Sequence, residues 1–145
     1  MKIVGVKLIK KKIIENKKGN IIKFVSTKDS FFKKFGEVYF NKINNNKTKG
    51  WIFHKKTNCI LSLIYGNVIF HLIDGRKESK SYNKENKIRL NSNSKNICIL
   101  IIPKRVWFSI SSREKDSLIV NIIEKVHSDK EVFKKNKIKN YFIKN

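Results

Sequence analysis

The 145-residue chain is poor in cysteine, glycine and acidic side chains: two Cys, six Gly and eleven Asp plus Glu. Cys59 and Cys98 each lie inside an apolar run. They are too few for a disulfide framework or a metal knuckle and read as small core residues of a reducing compartment. The glycines stand singly, so no phosphate-cradling loop is present, and no Gly-x-Ser-x-Gly elbow or activated-cysteine context marks a covalent nucleophile. No apolar run approaches the roughly 20 residues needed to cross a bilayer. The opening MKIVGVKLIKKK breaks its short apolar stretch at Lys7, which fits neither a signal peptide nor an anchor. The expected location is the cytoplasm, with no membrane partner.

The shortage of acid leaves 34 Lys plus Arg against 11 Asp plus Glu, a formal charge of +23. Such density ordinarily points to nucleic acid or an anionic membrane. Here only four basic residues are arginine, and Lys, Asn and Ile make up nearly half the chain, a pattern that AT-rich codons produce. The lysines run from Lys2 to Lys144 without one dominant block, whereas nucleic-acid surfaces concentrate basic residues and favour Arg. The charge reads as a solvated face and nucleic acid is not the expected partner; a basic nucleic-acid-binding β-barrel stays as a second alternative.

What the chain does contain is strand signal. Short runs of Ile, Val, Phe and Tyr recur about every ten residues between Asn, Gly, Ser and Asp clusters. Strands are expected near 3–9, 11–15, 20–25, 36–43, 50–54, 59–65, 67–73, 87–90, 96–102, 105–110 and 117–124. Many short strands with polar turns and almost no helical period argue for one all-β domain over 1–145, a sandwich or barrel. Gly19-Asn20, Gly66-Asn67 and Asp74-Gly75 are the best turns. Residues 76–95 read as a long polar loop around one brief strand, and 129–135 as a short C-terminal helix capped by Asp129.

Three histidines can be weighed singly. Alternation along 50–54 puts Gly50, Ile52 and His54 on one face and Trp51 and Phe53 on the other. His54 is a candidate base or a rim histidine, His71 reads as structural and His127 as exposed. Trp51 is assigned to packing unless a bulge turns it. A metal site would need two or three His with a carboxylate on adjacent strands. The residue two before His54 is Ile52, no Asp or Glu lies between Lys55 and Asn67, and Trp107 stands where another ligand would be wanted. No metal and no cofactor are expected.

FGEVYF at 35–40, KGWIFHKK at 49–56, Gly66, PKRVWF at 103–108 and HSDKEV at 127–132, in that order and spacing, resemble the dTDP-4-dehydrorhamnose 3,5-epimerase family. Its short members and the related sugar-nucleotide 3,4-ketoisomerases are nearest in pattern, from about residue 19 to the C-terminus. The resemblance implies a cupin-type double-stranded β-barrel (jelly roll), a homodimer, acting on a nucleotide-linked 4-keto-6-deoxy sugar for surface polysaccharide. Epimerisation beside a ketone needs a base for a carbon-bound proton, a donor for the enolate and an acid on the other face. By the resemblance, the epimerase base falls on Ile52, its tyrosine acid at or beside Asn121, and its phosphate-binding Arg on Lys49, which keeps the charge but not the fork. His54 matches the second His of the ketoisomerases, whose 3,4-keto shift moves a proton along one face and needs one base. Tyr39 matches an aromatic that lines their pocket, and Lys55 and Lys56 are placed to meet pyrophosphate. The leading reading is therefore an epimerase- or isomerase-like enzyme with His54 catalytic and Lys49, Tyr39, Lys55 and Lys56 binding substrate. A catalytically silent sugar-nucleotide binder of the same fold is the first alternative.

Overall fold

The computed structural model describes residues 2–142, all strand, turn and loop. The strands are β1 (Lys7–Ile14), β2 (Ile21–Ile22), β3 (Glu37–Ile43), β4 (Thr48–His54), β5 (Cys59–Tyr65), β6 (Asn67–Asp74), β7 (Glu85–Asn91), β8 (Asn96–Ile102), β9 (Val106–Ser112), β10 (Ser117–Ile123), β11 (Val132–Lys134), β12 (Lys137–Ile138) and β13 (Tyr141–Phe142). They form an antiparallel six-stranded sheet, β2-β1-β8-β5-β10-β3, and an antiparallel five-stranded sheet, β11-β4-β9-β6-β7, with β12 and β13 paired alone. From β3 to β6 and again from β7 to β10 the chain passes from one sheet to the other at every step, which is the wrap of a jelly-roll barrel.

The facing sides of the sheets supply the core, where Leu61, Leu63, Phe70, Leu72, Leu100, Phe108, Ile110 and Ile119 pack together. Alternation explains β7, whose Ile88 and Leu90 are buried between exposed Lys87 and Arg89. It does not explain β5, β8 and β10, which are apolar on both faces. Their outer side chains Ile60, Ile99, Ile101 and Ile122 lie under Phe24, Val25, Phe31 and Phe32 of the segment between β2 and β3. A Lys11–Asp29 ion pair ties that segment to β1. Each aliphatic side chain so shielded contributes about 1.5–3 kcal/mol. Four left in water would cancel much of the roughly 5–15 kcal/mol net stability of a domain.

The expected hairpin corner at Gly66 is present, with φ 99° between β5 and β6. A Cβ there would fall 2.6 Å from the Asp116 carbonyl oxygen, so glycine is required on both counts. The two strands expected over 3–9 and 11–15 are one, β1, and the brief strand expected at 87–90 runs the full width of the sheet as β7. The helix expected at 129–135 is not formed. Ser128 to Glu131 make a turn, closed by the Glu131 N–H on the Ser128 carbonyl, and Val132–Lys134 pair with β4. Tertiary bonds made by Glu131 and the edge of β4 outweigh the weak local preference for helix over so short a segment.

Candidate active site

β4 carries the centre of the site at its end. Register against β9 shifts between Lys49 and Ile52, at Gly50, which has φ 109° and where a Cβ would approach the Phe108 carbonyl oxygen to 2.6 Å. Beyond this irregularity the alternation resumes as the sequence implies: Ile52 and His54 both face the barrel interior. Trp51 faces out, is 1% exposed, and packs edge-on against His71 at 4.9 Å. His71 thus sits on the outer face, 3.3 Å from Glu85.

His54 is 4% exposed. Its ring stacks on Phe108 at 6.2 Å and its Nδ1 lies 3.0 Å from Glu131 Oε2. The other Glu131 oxygen accepts the Lys56 backbone N–H at 2.8 Å. Burial holds the imidazole below its ordinary pKa, and the adjoining Glu131 carboxylate partly offsets that. Burial raises Glu131, but the Lys56 N–H, the imidazole and Thr57 together keep it below the usual carboxylate range. At neutral pH the pair is therefore a neutral imidazole with Nδ1–H donated to a carboxylate. Nε2 is left as an acceptor, which is the form of a general base.

Opposite strands supply a phenol. Tyr39 on β3 and Asn121 on β10 are register partners, and Asn121 Nδ2 donates to Tyr39 Oη at 2.7 Å. Burial pushes the Tyr39 hydroxyl up to about 12, so at neutral pH it stays protonated and can donate. Cys59, fully buried nearby, is likewise pushed up by burial to about 12 and carries no thiolate. Tyr39, Ile52, His54, Phe108 and Asn121 line one cavity of about 310 Å³, enough for a sugar ring. A groove of about 380 Å³ between Ile13, Phe24 and Cys98 brings no imidazole or carboxylate to its walls.

At the rim of the barrel cavity, Glu37 accepts the His127 backbone N–H, and Lys134 of β11 supplies a cation. Lys49 reaches the rim indirectly, donating to Asn41 Oδ1 at 2.7 Å. Lys55 donates to the Lys130 carbonyl and lies over the Phe133 ring at 4.2 Å, and the Lys56 side chain is exposed; neither lines the cavity. Sequence reading missed Glu131 and Lys134. HSDKEV was the available signal for Glu131, read there for its order in the chain and for a helix cap. No local signal pointed to Lys134. Among the described residues no three His, Cys, Asp or Glu side chains converge to hold a metal ion.

Residues 4–142 match the model of the FdtA family, described as WxcM-like, C-terminal. The chain belongs to this FdtA, WxcM-like family. Solved structures extend the comparison. A dTDP sugar isomerase from Desulfovibrio desulfuricans G20 superposes with TM-score 0.86 at 22% identity, over 92% of this chain and 85% of that one. A dTDP-4-dehydrorhamnose 3,5-epimerase from Sulfolobus tokodaii gives 0.81 at 20%, over 90% and 77%. ChmJ, a 3'-monoepimerase from Streptomyces bikiniensis in complex with dTDP-quinovose, gives 0.83 at 11%, over 94% and 72%. No curated protein sequence matches the chain. At these identities the likeness establishes a cupin-like fold shared by the FdtA family, the epimerases and the isomerase; the chemistry has to be argued from the residues.

Proposed function

We propose that this chain is a nucleotide-sugar isomerase that moves the ketone of a nucleotide-linked 4-keto-6-deoxy sugar from C4 to C3. The observation that carries this reading is the single buried imidazole with its own carboxylate, His54–Glu131, beside an isoleucine rather than a second base. In the first half, His54 Nε2 takes the C3 proton, the C3–H electrons form the C3–C4 double bond, and the C4 oxygen takes a proton from the Tyr39 hydroxyl. In the second half, the C3 hydroxyl proton returns to Tyr39, the double bond collapses to a C3 ketone, and His54 delivers its proton to C4. Both carbon protons move along one face, so one base suffices. Lys134, with Lys49 behind Asn41, supplies positive charge for the diphosphate at the rim. We place the enzyme in the cytoplasm, on its composition, and take it as a homodimer whose product enters surface polysaccharide, as the resemblance implies.

The test is incubation with dTDP-4-keto-6-deoxyglucose in deuterated water, read by NMR. A ketone shifted to C3 supports the reading. Deuterium at C3 or C5 with the ketone unmoved would mean epimerisation instead. Tight binding with neither change would leave a silent binder of the same fold.

A further inference from the structure

The outer face of the five-stranded sheet carries a feature that the barrel chemistry does not use. Register places Ser109, His71 and Lys87 in one row across β9, β6 and β7, and Ser111, Ile69 and Arg89 in the next. Thr48 extends the second row, its hydroxyl 2.8 Å from that of Ser111, and Arg113 follows β9 at the same end. Together with Trp51 and Tyr141, these side chains enclose a cavity of about 440 Å³ on the side of the sheet opposite His54.

The charges at this cavity are unbalanced in a specific way. The chain has four arginines among 34 basic residues. Arg76 is paired with Asp74 and Arg105 with Glu78. The other two, Arg89 and Arg113, have no ion-pair partner among the described residues, and both line this cavity. Lys87 lies over the Tyr141 ring at 5.4 Å, beside its register partner His71. The carboxylate on the same face, Glu85, is committed to Lys139 at 2.9 Å and the Tyr141 hydroxyl at 2.8 Å, and Glu114 is turned to the Asn67 amide at 2.7 Å. Codon drift accounts for scattered lysines; it does not account for two of the four arginines, neither with an ion-pair partner among the described residues, lining one cavity with Thr48, Ser109 and Ser111. Guanidinium forks with hydroxyl donors are the chemistry of phosphate oxygens.

We propose that this outer cavity is a second anion site, which takes a ligand carrying two linked phosphates. Three cations exceed what a monophosphate neutralises, and the volume admits a diphosphate with the tyrosine and indole rings at its side. The ligand is free pyrophosphate or the diphosphate of a nucleotide. The proposal does not depend on the barrel reading, because none of these side chains reaches the barrel interior.

The Trp51 indole N–H, which donates to the Tyr141 carbonyl at 3.3 Å, is the reporter. Its NMR resonance is followed during titration with pyrophosphate and, separately, with dTDP. A saturable shift is expected, with apparent affinity weakened at least tenfold in Arg89→Ala/Arg113→Ala and at least twofold in Ser109→Ala, which keeps every charge. It should be unchanged in Lys33→Ala/Lys34→Ala, which removes equal charge from exposed positions elsewhere. If dTDP binds tighter than pyrophosphate and Tyr141→Ala erases the difference, the source is a nucleotide; equal affinities name pyrophosphate. No shift with either probe, or equal weakening in the two double variants, would overturn the proposal. So would a change of oligomeric state in Arg89→Ala/Arg113→Ala with anion binding intact, which would assign the face to self-association.

Discussion

Tyr39 and Asn121 face each other across β3 and β10, with the asparagine amide donating to the phenol oxygen at 2.7 Å. The resemblance puts a tyrosine near position 121, and the chain supplies its phenol from the neighbouring strand instead. Tyr39→Phe keeps the ring and the packing and removes only the proton. Its turnover should fall about 10²-fold, with substrate affinity within a few-fold, as measured by steady-state kinetics. An unchanged turnover would remove Tyr39 from the chemistry.

His54→Gln should lower turnover by about 10²- to 10⁴-fold, the range for loss of a general acid–base group. Binding of dTDP, measured by calorimetry, should persist because Lys134 and Lys49 are untouched. Loss of binding in step with activity would mean that His54 shapes the cavity rather than moving protons.

Glu131 acts through His54, and its test is a pH profile. The imidazole must be neutral to act, so activity rises as pH climbs through its pKa, which burial holds below the ordinary 6.5. Glu131 favours the protonated ring and so opposes that shift. In Glu131→Gln the acidic limb of the kcat/KM profile should move to lower pH, while turnover on the plateau falls because Nδ1–H loses its orienting acceptor. A plateau loss with no displacement of the limb would mark a merely structural role.

Stability has a separate key in Asp74, buried at the end of β6. It accepts from Arg76 Nε at 2.8 Å and from the Ser81 hydroxyl at 2.6 Å, while Arg76 reaches on to the Val4 carbonyl at 2.6 Å. Burial works to raise its pKa, but the Arg76 and Ser81 hydrogen bonds hold it down at about 2, against 3.8 for a free carboxyl. A depressed carboxyl contributes fully above its unfolded value, so this share of stability is present above about pH 4 and lost as pH falls toward 2. Asp74→Ala strands the Arg76 guanidinium and should cost about 3 kcal/mol in urea unfolding at neutral pH. Its stability should also fall less steeply than the parent's below pH 4. An equal slope would show that Asp74 is not the titrating group.

The strands were legible because runs such as those of β5, β8 and β10 leave no other way to bury so many β-branched side chains, and strand alternation alone put Ile52 and His54 on one face. What could not be read were relations between distant parts of the chain. Glu131 stands 77 residues from His54, and its local setting after Ser128 and Asp129 is that of a helix start. Only its bonds to β4 and to the Lys56 backbone draw the segment into an edge strand. Lys55 and Lys56 follow His54 directly in the chain, yet neither lines the cavity: Lys55 donates to the Lys130 carbonyl and Lys56 is exposed.

That 77-residue separation puts the acceptor on a segment that follows the last barrel strand. Strands β3 to β10 pair without it, and the carboxylate partner of His54 comes only with the segment that forms β11. Activity would thus lag behind the formation of the sheets during refolding. A chain stopped short of Glu131 would lose Val132 and Lys134 from the cavity wall as well as the direction of its base, so catalysis would report the docking of one short edge strand more sharply than any measure of global folding.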